Sequence, residues 1–177
     1  MSAVLQPDPP ILLREDREGI TTLTMNRPQQ MNLLTSEMIA ALQAAFDAIA
    51  QDTSVRVIVL AGAGKGFCAG HDLKEMRARP ALVEQVFARY SELMVSLTHM
   101  PQPVIARVHG VAFAAGCQLV AQCDLAVAVE SAQFATSGVK FGLFCSTPGV
   151  ALARNVGRKH AMEMLLTGEP IDAAEAL

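Results

Sequence analysis

Apolar residues recur along this chain with two periods, and the switches between them mark its elements. Gly19–Met25 is rich in β-branched residues and predicts a strand, stopped by Asn26-Arg27-Pro28. Met38, Ile39, Leu42, Ala45, Phe46 and Ile49 then recur at helical spacing, with Thr35 or Ser36 as the cap, up to about Asp52. Val55–Ala61 is nearly all apolar and predicts a strand buried on both faces. A glycine-rich loop from Gly62 to Gly70 follows, and Asp72 opens a short helix.

The same alternation continues. Pro80–His99 reads as a helix whose core face is Val83, Val86, Phe87, Tyr90, Leu93, Met94 and Leu97, ended by Pro101 and Pro103. Val104–Val108 is a third strand, leading through Gly110 into a helix over Ala112–Gln122 that is apolar on nearly every side. Leu125–Val129 and Gln133–Ala135 predict short strands, Pro148–Val156 and Lys159–Thr167 helices. Ile171-Asp172 begins one more helix. Strands alternating with helices make the fold class α/β. We divide the chain into a lead-in over residues 1–18, proline-rich at its start, and a core over residues 19–177.

Composition narrows the function classes. A hydrophobic content of 51% excludes a disordered chain, and a net charge of -3 gives no reason to expect nucleic acid or an anionic membrane surface. No run reaches the roughly 18 apolar residues of a membrane span. With no secretory signal visible, the expected compartment is cytoplasmic. Cys68, Cys117, Cys123 and Cys145 form no C-x-x-C pair, so free buried thiols are expected, with neither a disulfide nor a structural metal.

Two segments share one design, a buried strand, a glycine turn and a helix start. They are Val57–Leu73 and Pro103–Leu119. Such turns leave backbone N–H groups unpaired, which suits a developing negative charge. By spacing alone the glycines either turn the chain only, or carry donors that meet as an oxyanion hole. A nucleotide cradle fits poorly. GAGKG lacks the G-x-G-x-x-G order, and no Ser or Thr follows Lys65.

The segments FCAGHDLKEM (67–76), HGVAFAAGCQLVAQCDLAVA (109–128) and AQF (132–134) resemble the crotonase, or enoyl-CoA hydratase/isomerase, superfamily. NRPQQMNLL (26–34) is similar to its N-R-P-x-x-x-N-A-L segment, with Leu33 in place of Ala. The resemblance implies a spiral of ββα units that binds acyl-CoA thioesters. It implies N–H donors at His71 and Ala115 holding the thioester oxygen as an enolate forms. An adenine contact would fall on the Ala69 carbonyl, with Met31, Leu33, Asp72 and Leu73 lining the CoA channel. Coenzyme A would be part of the substrate, with no prosthetic group and no metal, and the partners would be copies of the chain in a homo-trimer or hexamer.

Two departures qualify that implication. Gln118 and Gly138 stand where hydratases of the superfamily carry their two glutamates, and neither transfers a proton at neutral pH. Glu75 and His71 are the nearest titratable substitutes. His99, His109 and His160 read as structural or surface residues, Tyr90 as core and Asp124 as a turn or cap. Lys140, Arg154, Arg158 and Lys159 are solvated charges or phosphate contacts. The second departure is length, because the resemblance implies C-terminal helices beyond the point where this chain stops, and we read them as truncated. The reading is thus an acyl-CoA lyase or isomerase, and the alternative is a non-catalytic acyl-CoA-binding or regulatory subunit.

Overall fold

Two sheets organise residues 9–177, the part of the chain that the computed structural model describes. Leu12–Arg17 (β1) pairs antiparallel with Ile20–Met25 (β2). Val57–Gly62 (β3), Val104–Val108 (β4) and Leu125–Ala128 (β6) follow in parallel, in the order β1-β2-β3-β4-β6. A second sheet joins Val111–Phe113 (β5), Gln133–Ala135 (β7) and Ile171–Asp172 (β8).

The parallel register sets where the site falls. Met25 lies opposite Gly62, and Ala61 opposite Arg107, so β2, β3 and β4 end on the same side of the sheet. Both glycine turns leave from that side, the usual place for ligand crevices in parallel sheets.

One face of the large sheet carries the core. Leu23, Met25, Ile58, Leu60, Val104 and Ala106 are fully buried beneath helices Ser36–Ala50 (α1) and Val83–His99 (α3). Helix α1 supplies Met38, Ile39, Leu42, Phe46 and Ile49, and α3 supplies Val86, Tyr90, Leu93, Met94 and Leu97. Thr35 caps α1 by accepting the Met38 N–H at 3.1 Å. Asp72 caps the short helix Leu73–Ala78 (α2). Downstream lie Ala115–Gln122 (α4), Ser146–Asn155 (α5), Arg158–Thr167 (α6) and Ala173–Ala176 (α7).

The structure departs from the sequence reading in four places. Within the expected lead-in, residues 1–8 lie outside the described residues, whereas 12–17 form β1. LLREDR hides that strand because it is an exposed edge held by its ladder to β2, not by an apolar face. Strand β3 is not buried on both faces, since Val57 and Val59 are only half covered. The helix expected over 112–122 begins at Ala115. Ala114, at φ +49°, breaks the run and leaves 111–113 to pair with β7. Ile171-Asp172 is a strand, not a helix start. It pairs with β7 before Asp172 caps α7 by accepting the Glu175 N–H at 2.9 Å.

Candidate active site at two converging glycine turns

The first turn is held from within. Asn32 is fully buried at φ +52°, and its amide donates to the carbonyls of Ala63 at 2.9 Å, Gly66 at 2.9 Å and Phe67 at 3.1 Å. Its own oxygen accepts the Arg27 N–H at 2.9 Å. One side chain thus saturates a loop whose carbonyls point inward and would otherwise be unpaired. His109 adds an outer tie, its Nε2 lying 2.8 Å from the Gly64 carbonyl.

The two turns are stitched together by backbone. Phe67 and Cys68 donate to the Val111 carbonyl at 3.0 and 3.1 Å, and Phe113 donates to Cys68 at 2.9 Å. Gly116 packs so closely that any Cβ there would strike the Cys68 carbonyl. Gly70 has φ +101°, and a Cβ there would lie 3.1 Å from the Phe113 carbonyl and 3.4 Å from the Ala115 nitrogen. Residue 70 must therefore be glycine on both conformational and steric grounds. His71, directly after it, is brought beside Ala115.

Both N–H groups are available there. Ala115 opens α4, where the first N–H groups have no intrahelical acceptor. Ala114 spends its own N–H on the Ala135 carbonyl at 2.7 Å, which fixes the turn ahead of the helix. Among the described residues, nothing accepts from the His71 or Ala115 N–H. The structure thus brings these two expected positions together.

The expected CoA-channel residues also gather. Ala69 donates its N–H to the Met31 carbonyl at 3.0 Å, and Leu34 donates to Gly70 at 2.8 Å. An isolated parallel bridge between Leu34 and His71 continues that pairing. Met31 and Leu33 therefore run alongside 69–73. The Leu73 side chain is exposed at the start of α2. Asp72 spends a carboxylate oxygen on the Lys74 N–H at 2.8 Å and the Glu75 N–H at 3.2 Å.

The proposed proton-transfer substitutes fare differently. Glu75 accepts the Ser36 N–H at 2.9 Å, and so binds the start of α1. The His71 ring packs edge-on against Phe87 and Tyr90, with centroids 5.2 and 4.6 Å away. Both ring nitrogens are buried without hydrogen-bond partners. Burial lowers the His71 pKa below 6.5, and a Leu34 backbone group near the ring opposes that shift without reaching bonding geometry. The ring is therefore neutral and packed.

Gln118, one turn into α4, is buried, with its amide oxygen unpartnered. Gly138 donates to the Cys145 sulfur at 3.3 Å. A Cβ on it would sit 2.5 Å from the Leu143 carbonyl and 2.6 Å from that sulfur, so glutamate does not fit without rebuilding the loop. The Asp124 carboxylate ties to β4 by accepting the Val104 N–H at 2.8 Å. Lys140 pairs with Glu169 at 2.8 Å, while Arg154, Arg158 and Lys159 are exposed. Burial pushes the Cys68, Cys117 and Cys123 thiols up to about 12, which leaves them protonated and unreactive. Among the described residues no group of three or more His, Cys, Asp or Glu side chains is placed to hold a metal ion.

Two residues that shape the site were not singled out for that role in the sequence. Asn32 lies inside NRPQQMNLL, but an asparagine in a loop gives no hint of three inward carbonyls. Tyr90 has helical core spacing, yet its hydroxyl donates to the Ala115 carbonyl at 2.6 Å.

Comparison with known proteins gives the family and the fold. Residues 15–177 match the family model described as enoyl-CoA hydratase/isomerase, and the chain belongs to that family, with the crotonase fold. It is similar to enoyl-CoA hydratase domain-containing protein 3, mitochondrial, of Xenopus laevis, at 49% identity over 170 residues, covering 95% of this chain and 58% of that one. A crystal structure of an enoyl-CoA hydratase from Mycobacterium smegmatis superposes with a TM-score of 0.93 at 60% identity, covering 95% of this chain and 66% of that one. The crystal structure of human enoyl-CoA hydratase domain-containing protein 3 superposes with a TM-score of 0.91 at 46% identity, covering 95% and 67%. The chain thus spans 58% of the length of the first curated relative it matches.

Proposed function

We propose that this chain binds an acyl-CoA thioester and stabilises its enolate with the N–H groups of His71 and Ala115. The close approach of Gly70 to Ala114 and Ala115 supports this reading, because it puts the residue before His71 against the start of α4, whose first N–H groups have no intrahelical acceptor. When a solvent water takes the α-proton, the C–H electron pair forms the C=C bond of the enolate and the C=O π pair moves onto the thioester oxygen. Preorganised N–H donors oppose that charge more strongly than water does. Met31, Leu33, Ala69, Asp72 and Leu73 line the path of the CoA moiety, which enters as part of the substrate.

Gln118 and Gly138 argue against hydration by a pair of carboxylates. A lyase or isomerase step that uses the enolate alone fits better, with the Gln118 amide orienting a water or carbonyl group. The second reading, a non-catalytic acyl-CoA-binding or regulatory subunit, is favoured by the same two residues and by Glu75, which is committed to α1. Turnover of an acyl-CoA panel decides between them. Turnover above background supports the enzyme, and tight CoA binding with none supports the binding subunit. Gln118→Glu is the informative gain-of-function variant, since Gly138 has no room for a side chain.

Assembly into trimers or hexamers belongs to the same reading. Leu125, Val127, Phe141 and Leu143 are each more than half exposed, and exposed large apolar side chains favour association. Sedimentation velocity tests it, with a monomer at micromolar concentration as the contrary result. The cytoplasmic expectation narrows. Among the described residues no helix is long and apolar enough to cross a membrane, and the Xenopus relative is named as mitochondrial.

A further inference from the structure

Tyr90 is the chain's only tyrosine and is fully buried on α3, outside both glycine turns. It nevertheless touches each of them. Its ring meets the His71 ring at a centroid separation of 4.6 Å and an interplanar angle of 78°. Its hydroxyl donates to the Ala115 carbonyl at 2.6 Å. His71 and Ala115 are the two residues whose N–H groups face the candidate oxyanion position, and each is followed or preceded by strained or helix-capping backbone. Buried hydroxyls rarely lack a partner, so this one bond fixes the start of α4 against α3. The aromatic contact fixes the residue after Gly70 against the same side chain.

We propose that Tyr90 is a positioning residue that sets the separation and aim of the two N–H donors by bracing both turns from one point on α3. The inference rests on the enolate-stabilising reading above. A brace of this kind acts on the bound thioester oxygen more than on the CoA moiety, because its contacts are to the His71 ring and the Ala115 carbonyl, the two residues that carry the donors. Displacing a preorganised donor by a fraction of an ångström weakens its hold on developing charge far more than it weakens ground-state binding.

The test uses butyryl-CoA labelled with ¹³C at the thioester carbonyl, with free CoA as the reference ligand. In the unmodified protein the carbonyl infrared band moves to lower frequency on binding. In Tyr90→Phe, which keeps the ring and removes the hydroxyl, that displacement falls by about half or more, while the affinity for free CoA stays within about twofold. Val86→Ala, which lies one turn earlier on the buried face of α3, lowers the melting temperature but leaves the band in place. A full displacement in Tyr90→Phe overturns the brace, as does an equal loss in Val86→Ala. Global replacement of tyrosine by 3-fluorotyrosine labels residue 90 alone and preserves its packing. Its ¹⁹F resonance moves on binding butyryl-CoA and less on binding free CoA. A resonance that ignores butyryl-CoA, in protein whose carbonyl band does move, also overturns the brace. No band displacement in the unmodified protein overturns the enolate reading itself, which is a different result from any of these.

Discussion

The two glycine turns start from the same sequence design and reach the same end by opposite means. In the first, the backbone bends where a glycine stands. Gly70 takes φ +101° at no steric cost, and the two N–H donors of the Asn32 amide are shared among three loop carbonyls. In the second, the bend falls on an alanine. Ala114 sits at φ +49° and ψ −117°, a region that L-residues avoid, and it is held there by the Ala135 carbonyl and by the packing of α4. The first turn adopts its shape by conformational freedom, the second because its surroundings over-determine it.

The comparison can be broken most decisively at Asn32. Asn32→Ala strands three inward carbonyls and the Arg27 N–H, and should cost about 4 kcal/mol by urea denaturation. A loss below about 1 kcal/mol would show that the loop stands without its clamp. Gly70→Ala comes next, at about 2 kcal/mol, since it adds both positive-φ strain and a 3.1 Å approach to the Phe113 carbonyl. Unchanged stability there would remove the argument that the turns are in contact through residue 70.

Ala114→Gly sharpens the contrast, because relieving strain should outweigh glycine's entropy and stabilise the fold by about 1 kcal/mol. Destabilisation by this substitution would mean that the alanine is not strained. The smallest effect is a pH dependence. The folded pKa of His71 lies below 6.5, so only the unfolded chain takes up its proton just below that value. Stability is fully present above pH 6.5 and declines as pH falls beneath it. His71→Phe should remove this component from the melting temperature measured between pH 7 and pH 5. Asp16, whose carboxyl is held low first by the Thr21 hydroxyl, contributes in the acid range beneath that window.

Much of this architecture was legible in the sequence, because periodicity reports burial directly. Helix α1 and its Thr35 cap, α3 with its proline stop, and both strand-turn-helix segments follow from patterns a few residues long. The errors share one cause. β1 is an exposed edge held by its hairpin partner β2, and β5 is three residues absorbed into an apolar run and held by β7, so both exist through ladder pairing that an apolar pattern does not record. The site shows the same divide. His71 and Ala115 are expectations that rest on the family resemblance, whereas Asn32 and Tyr90 act through partners that lie far from them in sequence, Asn32 on carbonyls at 63, 66 and 67 and Tyr90 on the carbonyl at 115.

The sequence by itself determined the principal helices and central strands, the two glycine turns, and the identities of Gln118 and Gly138. Those depend on residue identity and local spacing, which the chain carries wherever it goes. Only the tertiary structure decided that the turns meet at residue 70, that Glu75 is committed to α1, and that Gly138 has no room for glutamate. It also decided that one tyrosine touches both donors. Each of these depends on which backbone atom lies opposite a given side chain, and that is set by the register of β2, β3 and β4 and the packing of α3, not by any local pattern.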